Sequence, residues 1–200
     1  MAHDNLQPLT SLGPMPKSAA DEETDPAKKE YLEGRELFDK GEYAAAAMAF
    51  HNALLGFEKQ GDQIGVANAA DRFGDACLAR EEYAMALAHY ERAHAICAEL
   101  DDSFSILSLN RKMATACRKL GNHSRAVELL FDMLEHYRLT NNPKGAVELL
   151  IVLAETYQEM GNRTAAADAY RSAAGIHTSF KHPRAASELL QRAEALEQEG

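Results

Sequence analysis

The sequence predicts an all-α solenoid of four helix-turn-helix units, closed by a C-terminal capping helix. Three observations carry that prediction. Alanine, leucine and glutamate dominate the composition, and no run of Val, Ile and Thr suggests a strand. With 46% apolar and 26% charged residues, the 200-residue chain can bury a sizeable core. Four segments also align on one turn, KGEYAAAAMAF, REEYAMALAHY, LGNHSRAVELL and MGNRTAAADAY, each forty residues after the last. Recurrence at a fixed period is the mark of a repeat protein.

The columns of the repeat are specific. The turn residues are Gly41, Glu81, Gly121 and Gly161, and five residues beyond each lies Ala46, Ala86, Ala126 or Ala166. Large residues follow at Phe50, Tyr90, Leu130 and Tyr170, and then Ala53, Ala93, Met133 and Ala173. Gly34, Gly74, Ala114 and Ala154 stand seven residues before each turn. Helices that cross closely need small side chains where a partner's large one enters. The glycine and alanine at 34, 74, 114 and 154 are therefore expected to face Ala46, Ala86, Ala126 and Ala166 across each hairpin. Phe50 and its equivalents are expected to fill the space between neighbouring units. Within GEYAAAAMAF only Ala46 is then required to be small. Ala44, Ala45, Ala47 and Ala49 read as permitted helix formers.

The elements follow in order. Residues 1–25 hold Pro8, Pro14, Pro16 and an acidic DEETD patch without apolar periodicity, and are expected to form a disordered leader. Asp25-Pro26 reads as an N-cap and a first-turn proline. First helices are expected over 26–39, 63–80, 103–119 and 143–160, second helices over 43–58, 83–100, 123–139 and 163–178. Breaks at Gly61-Asp62, Asp101-Asp102 and Asn141-Pro143 separate units of about 27–66, 67–106, 107–146 and 147–182. The polar helix 183–198 suits a solvent-facing cap on the solenoid 26–200.

These columns resemble the tetratricopeptide repeat (TPR): a small residue in the first helix, a turn glycine, an aromatic opening the second helix, and two alanines along it. Gly34, Gly41, Tyr43, Ala46 and Ala53 match in the first unit, and Gly74, Tyr83, Ala86 and Ala93 in the second. His123 and Arg163 replace the aromatic in the third and fourth. The period of forty is longer than the common period of about 34. The resemblance implies a right-handed superhelix, protein or peptide binding in a groove lined by first helices, and no catalysis.

Carried onto this chain, that groove face comprises Lys28, Tyr31, Arg35 and Phe38; Asn68, Asp71, Asp75 and Leu78; Ser108, Arg111, Thr115 and Arg118; Glu148, Ile151, Glu155 and Gln158. Its charge alternates, acidic in the second unit, basic in the third and acidic in the fourth. Arg111 and Arg118 either pair with carboxylates of adjacent units or take a carboxylate from a bound segment. One TPR subclass grips the C-terminal carboxylate of chaperones. Here Tyr31, Arg35, Arg72, Ser108 and Lys112 stand at the positions of its Lys/Asn/Asn/Lys/Arg clamp; only Lys112 is basic where the clamp is basic and both asparagines are gone, so that ligand is not expected.

Other chemistry is not indicated. A net charge of −10 without a basic run disfavours nucleic acid and anionic membranes. The apolar run 149–154 is too short to span a bilayer, and no secretory signal is visible. Cys77, Cys97 and Cys117 are too few for a disulfide framework, which suggests a reducing cytoplasm. They lack a CxxC pair, so buried thiols are expected rather than a zinc site. His89 and His94 are expected to be solvated or interfacial. No nucleophile elbow, zincin motif or phosphate loop is present, and no cofactor or enzymatic role is expected.

The expected function is an adaptor or scaffold that binds a protein or peptide segment. Alternatives are a structural module that self-associates through its stacked ends, or a chaperone holding a client. Ala126→Phe should overpack its hairpin and lower stability by about 1–3 kcal/mol, as read by thermal unfolding; an unchanged midpoint would displace the crossing from this column.

Overall fold

In the computed structural model, residues 25–198 are described. Among them nine helices run in series: α1 (Pro26–Asp39), α2 (Tyr43–Gln60), α3 (Gln63–Ala79), α4 (Tyr83–Glu99), α5 (Ser103–Lys119), α6 (His123–Leu139), α7 (Pro143–Glu159), α8 (Arg163–Ser179) and α9 (Pro183–Gln198). The described residues contain no strand, and no described helix is long and apolar enough to cross a membrane. Each helix packs on its neighbours in sequence, and α1 also touches α3. The leader expected over 1–25 lies outside the described residues, Asp25 excepted.

A single turn, repeated every twenty residues, sets the architecture. Gly41, Gly61, Glu81, Asp101, Gly121, Asn141, Gly161 and Lys181 all have positive φ, between 49° and 79°. At each, the left-handed residue donates its N–H to the carbonyl three back, and the next residue to the carbonyl five back. In the first turn these bonds are Gly41 to Phe38 at 2.9 Å and Glu42 to Leu37 at 2.9 Å. This is the Schellman closure, which satisfies carbonyls at a helix end. The residue that completes it then opens the next helix. The side chains of Asp62, Asp102, Asn142 and Asn162 accept from the N–H of Gly65, Ser105, Gly145 and Ala165 at 2.9–3.1 Å. Two residues thus end one helix and start another. The breaks within units and between units share this backbone closure, whereas Glu42, Glu82 and Asn122 add no side-chain cap.

Packing across each hairpin differs from expectation in one respect. A Cβ at Gly34 would lie 2.7 Å from the Phe50 ring, and one at Gly74 would lie 2.5 Å from the Tyr90 ring. The small residue of the first helix is therefore the seat of the large residue of its own hairpin, rather than the partner of Ala46. Ring and glycine are matched because the fully buried Phe50 and Tyr90 need a flat backbone beneath them. Ala46, Ala86, Ala126 and Ala166 are fully buried, as are Ala53, Ala93, Met133 and Ala173. Ala114 shares a core cluster with Leu130, and Ala154 shares another with Tyr170. Ala47 and Ala49 are also buried, Ala47 in a cluster with Ala76 of the next unit, so they are not the free helix formers that the repeat alone suggests.

A second small-to-large match joins consecutive units. A Cβ at Gly65 on α3 would strike the Phe57 ring at 2.5 Å, and one at Gly145 on α7 would strike Tyr137 at 2.8 Å. At the intervening equivalents the pair is Cys97 and Ser105, both of modest size. Large faces glycine and small faces small, which keeps the spacing of units even.

The turns give a direct test. A non-glycine residue in the left-handed region costs roughly 1–2 kcal/mol. Glu81→Gly should therefore raise stability by about 1 kcal/mol, and Gly121→Ala should lower it by about the same amount, as measured by urea unfolding.

Candidate functional site

Helical spacing places the anticipated groove residues on one face of α1, α3, α5 and α7. On α1, Tyr31 is half-buried, its ring 5.8 Å from Phe50 and 6.4 Å from Phe57. Its hydroxyl lies near Arg72 on α3 and helps to raise the pKa of that guanidinium. Arg35 is exposed. Phe38 is half-buried edge-on against Tyr43 at 5.2 Å, so it serves its own hairpin. On α3, Asn68 is exposed while Asp71 and Asp75 are half-buried. The remaining positions are exposed, apart from the partly buried Lys28, Leu78, Arg118 and Ile151.

The charges of this face are taken up largely between units. Lys112 of α5 reaches back to α3, its Nζ 2.7 Å from Asp71 Oδ1 and 2.9 Å from Asp75 Oδ2. Asp75 also accepts from the Tyr90 hydroxyl at 2.9 Å. Burial, and the neighbouring Asp75 carboxylate, push the Asp71 carboxyl above its usual range against the pull of Lys112. The Tyr90 phenol is pushed far up by burial and by the same carboxylates. Arg118 reaches forward to α7 and grips Glu159 with two nitrogens at 2.7 and 3.2 Å, with Glu155 3.5 Å away. That grip holds Glu159 below the ordinary carboxylate range. Arg111 instead donates to the neutral Tyr137 hydroxyl at 2.9 Å.

Of the polar residues expected to greet a ligand, Thr115 bonds its own helix at the Arg111 carbonyl, and the Gln158 amide donates to Tyr170. Glu159, Tyr137 and Tyr90 were not anticipated. Their partners stand on other helices, and no local pattern pointed to the contacts. Lys112 stood out only as the basic member of a clamp, whereas its salt bridges run to two aspartates of this chain.

Clefts lie at equivalent positions of the first, second and fourth units, between successive first helices and above the end of the second, and those of the first and fourth units are apolar. The first, of about 310 Å³, is lined by Tyr31, Leu32, Phe57, Ile64 and Asn68 among others. The second shrinks to about 70 Å³ around Asn68, Asp71, Cys97 and Ser108. At the third position Tyr137 lies against Gly145 and takes the Arg111 bond. The fourth, of about 380 Å³, is lined by Pro143, Val147, Glu148, Ile176, His177 and Phe180. Ile64, its equivalent Phe104, and Phe180 are 63%, 83% and 54% exposed, so an apolar margin follows the clefts.

The remaining candidates are structural. Cys77, Cys97 and Cys117 are buried free thiols, and burial pushes the Cys77 thiol up to about 11. Among the described residues no group of three or more His, Cys, Asp and Glu is placed to hold a metal. His89 is half-buried with its ring centroid 4.1 Å from Phe73, and burial lowers its pKa.

No family model matches the sequence, and no curated protein matches it. Solved structures do match. The apo form of RapI superposes with a TM-score of 0.74 at 18% identity, over 87% of this chain and 49% of RapI. This chain thus spans about half the length of RapI. The nearly identical TPR-like repeats of a kinesin-light-chain-type protein from Podosopora anserina give 0.72 at 18% identity, over 87% of this chain and 88% of that one. YrrB, described as a TPR protein with an unusual peptide-binding site, gives 0.52 at 19% identity, over 89% and 90%. Matches at this identity define the class of fold. The chain is a tetratricopeptide-type repeat solenoid, here in a forty-residue form with equal turns.

The Lys112 bridge sets a pH-dependent expectation. Lys112→Met leaves two adjacent half-buried carboxylates uncompensated and should cost about 2 kcal/mol at neutral pH. Asp71 already has a raised folded pKa, and loss of the ammonium raises it further. The folded variant therefore binds a proton more readily than the unfolded chain, and its deficit should shrink as pH falls towards that pKa. Urea unfolding of both proteins at pH 7 and pH 5 measures this; a deficit that grows on acidification would contradict it.

Proposed function

We propose that the chain is a non-enzymatic adaptor that binds an extended segment of another protein along the face of α1, α3, α5 and α7. The observation that carries this reading is the row of clefts at equivalent repeat positions, edged by exposed apolar side chains. An extended ligand can place an apolar side chain in each of the two roomy clefts, in the first and fourth units, and run across the face between them. The charged floor contributes alignment more than affinity, because Lys112 and Arg118 already have carboxylate partners. Arg111, whose bond goes to a phenol rather than a carboxylate, and the exposed Arg35 are the arginines of this face that a ligand carboxylate meets without breaking an ion pair. YrrB, with its peptide-binding site on a similar fold, supports the reading by analogy. The composition of the chain fits a cytoplasmic setting.

Panning random peptides about twelve residues long, roughly 37 Å in extended polyproline form, tests the proposal. The expected binders carry apolar residues at regular spacing and lose at least about tenfold in affinity against Ile64→Glu, whose side chain is exposed enough to leave folding intact. Binders carrying a carboxylate should weaken further against Arg111→Glu with an unchanged thermal midpoint. Binders indifferent to both variants would count against this face.

A second reading, self-association, rests on the outer side of the cap. There Leu190 is 42% exposed beside a cleft of about 450 Å³ formed with Thr178, Lys181, Pro183, Ala186 and Ser187. Sedimentation that stays monomeric at micromolar concentration would remove it.

A further inference from the structure

We infer that the edge of the solenoid carrying the turns between units pairs with the same edge of a second copy of this chain, Phe104 of each copy entering the fourth-unit cleft of the other. The inference rests on the cleft described above and names one occupant for it.

Helices that alternate in direction put every second turn at the same end. The turns α2–α3, α4–α5, α6–α7 and α8–α9 therefore share one edge of the stack. Ile64, Leu100, Phe104, Leu139 and Phe180 stand on it, 63%, 51%, 83%, 70% and 54% exposed. The turn itself does not require them. Gln60 and Thr140 hold the position that Leu100 and Phe180 hold, and Lys144 and Arg184 hold that of Ile64 and Phe104. Large apolar side chains gathered in water without a structural use mark a contact surface.

Charge says what covers it. Residues 99–110 contain Glu99, Asp101 and Asp102 and no basic residue. Residues 139–147 and 177–187 contain Lys144, Lys181 and Arg184 and no acidic one. The α2–α3 turn, at the far end of the row, is mixed, with Lys59 and Asp62. Glu99, Asp101, Lys144, Lys181 and Arg184 are exposed and make no ion pair among the described residues, whereas Lys112 and Arg118 on the neighbouring face are bridged. An edge of one sign would repel its own copy. An edge that turns from acidic at α4–α5 to basic at α6–α7 and α8–α9 attracts it after a two-fold rotation.

The same rotation matches shape. Phe104 projects beside Asp101 and Asp102. The fourth-unit cleft, of about 380 Å³, is walled by Pro143, Val147, Ile176 and Phe180, with Lys144 and His182 at its side. An aromatic ring flanked by carboxylates thus meets an apolar cleft flanked by cations. Leu139, at the end of α6, lies between ring and cleft in the order of the stack, so the two-fold axis passes beside it and it meets its counterpart. Each copy supplies one ring and one cleft, so the contact closes at two chains.

Sedimentation velocity of the full chain tests the pairing. A dimer is expected at micromolar concentration, weakening as salt is added. Phe104→Ser should lose at least about tenfold in dimer affinity with an unchanged thermal midpoint. Asp101 and Lys181 occupy equivalent left-handed turn positions, with φ of 54° and 59°, so each site accepts the other's residue. Asp101→Lys and Lys181→Asp should each weaken the dimer about tenfold. Mixed in equal amounts they should pair again, because the mixture restores opposite charges at both contacts. A chain that stays monomeric at high micromolar concentration overturns the inference, as does a mixture that fails to pair. So does a dimer indifferent to Phe104→Ser, or one that Leu190→Ser dissociates, since that contact lies at the cap. Species that grow beyond two chains overturn the closed arrangement. If the wild type is monomeric while library peptides still bind in an Ile64-dependent way, pairing alone fails; if those peptides also fail, the groove reading falls with it.

Discussion

The structure depends on a chain reversal that costs two residues and occurs every twenty. One residue enters the left-handed region, and the next closes the old helix with its N–H and opens the new one. Because every reversal has the same hydrogen bonds, α3 to α8 are all seventeen residues long, about 25 Å each. Equal lengths keep the columns in register along the stack. A single inserted residue in one helix would rotate all that follows by about 100° and bury the wrong face. The matched pairs of Gly34 with Phe50 and Gly65 with Phe57 have meaning only in that register.

Register also decides what the face of the first helices can do. It puts the clefts of the first, second and fourth units at equivalent positions along this face. It brings residues about forty apart in sequence side by side, and this joins Lys112 to Asp71 and Arg118 to Glu159. These bridges tie unit to unit while neutralising the centre of the face. On the proposed reading, what is left for a ligand is mostly apolar edge, together with the Arg35 and Arg111 guanidinium groups. Under the proposed function, selectivity would come from side-chain spacing along the ligand more than from its charge.

The two ends of the row are its roomiest places, and the reason lies in two residue choices. At the second position Cys97 and Ser105 close the cleft around a small volume, and at the third Tyr137 fills it against Gly145. Phe57 leaves room beside Leu32 and Ile64, while His177 and Phe180 line the last cleft. The face thus has a wider cleft near either end, and under the proposed function this would favour a ligand anchored by separated apolar residues.

Much of this was legible in the amino-acid order. The period of forty, the turns at Gly41, Glu81, Gly121 and Gly161, and the helices between them follow from local chemistry, since left-handed residues, N-caps and helix formers act on their own neighbours. The equality of the other four turns was harder to see, because Asp101, Asn141 and Lys181 occupy the left-handed site that glycine holds at Gly61. Which small residue seats which large one was not legible. Ala46 and Gly34 recur equally well, and only the packed hairpin shows that the Phe50 ring, not Ala46, lies on Gly34. Nor could sequence choose a partner for Arg111, Lys112 or Arg118, because each had several opposite charges within reach of its helix. By itself the sequence determined the secondary structure, the repeat and the class of fold, all set by contacts within one or two turns. Tertiary structure decided the charge pairing and the shape of the clefts, because these depend on how units about forty residues apart are brought to within a few ångströms.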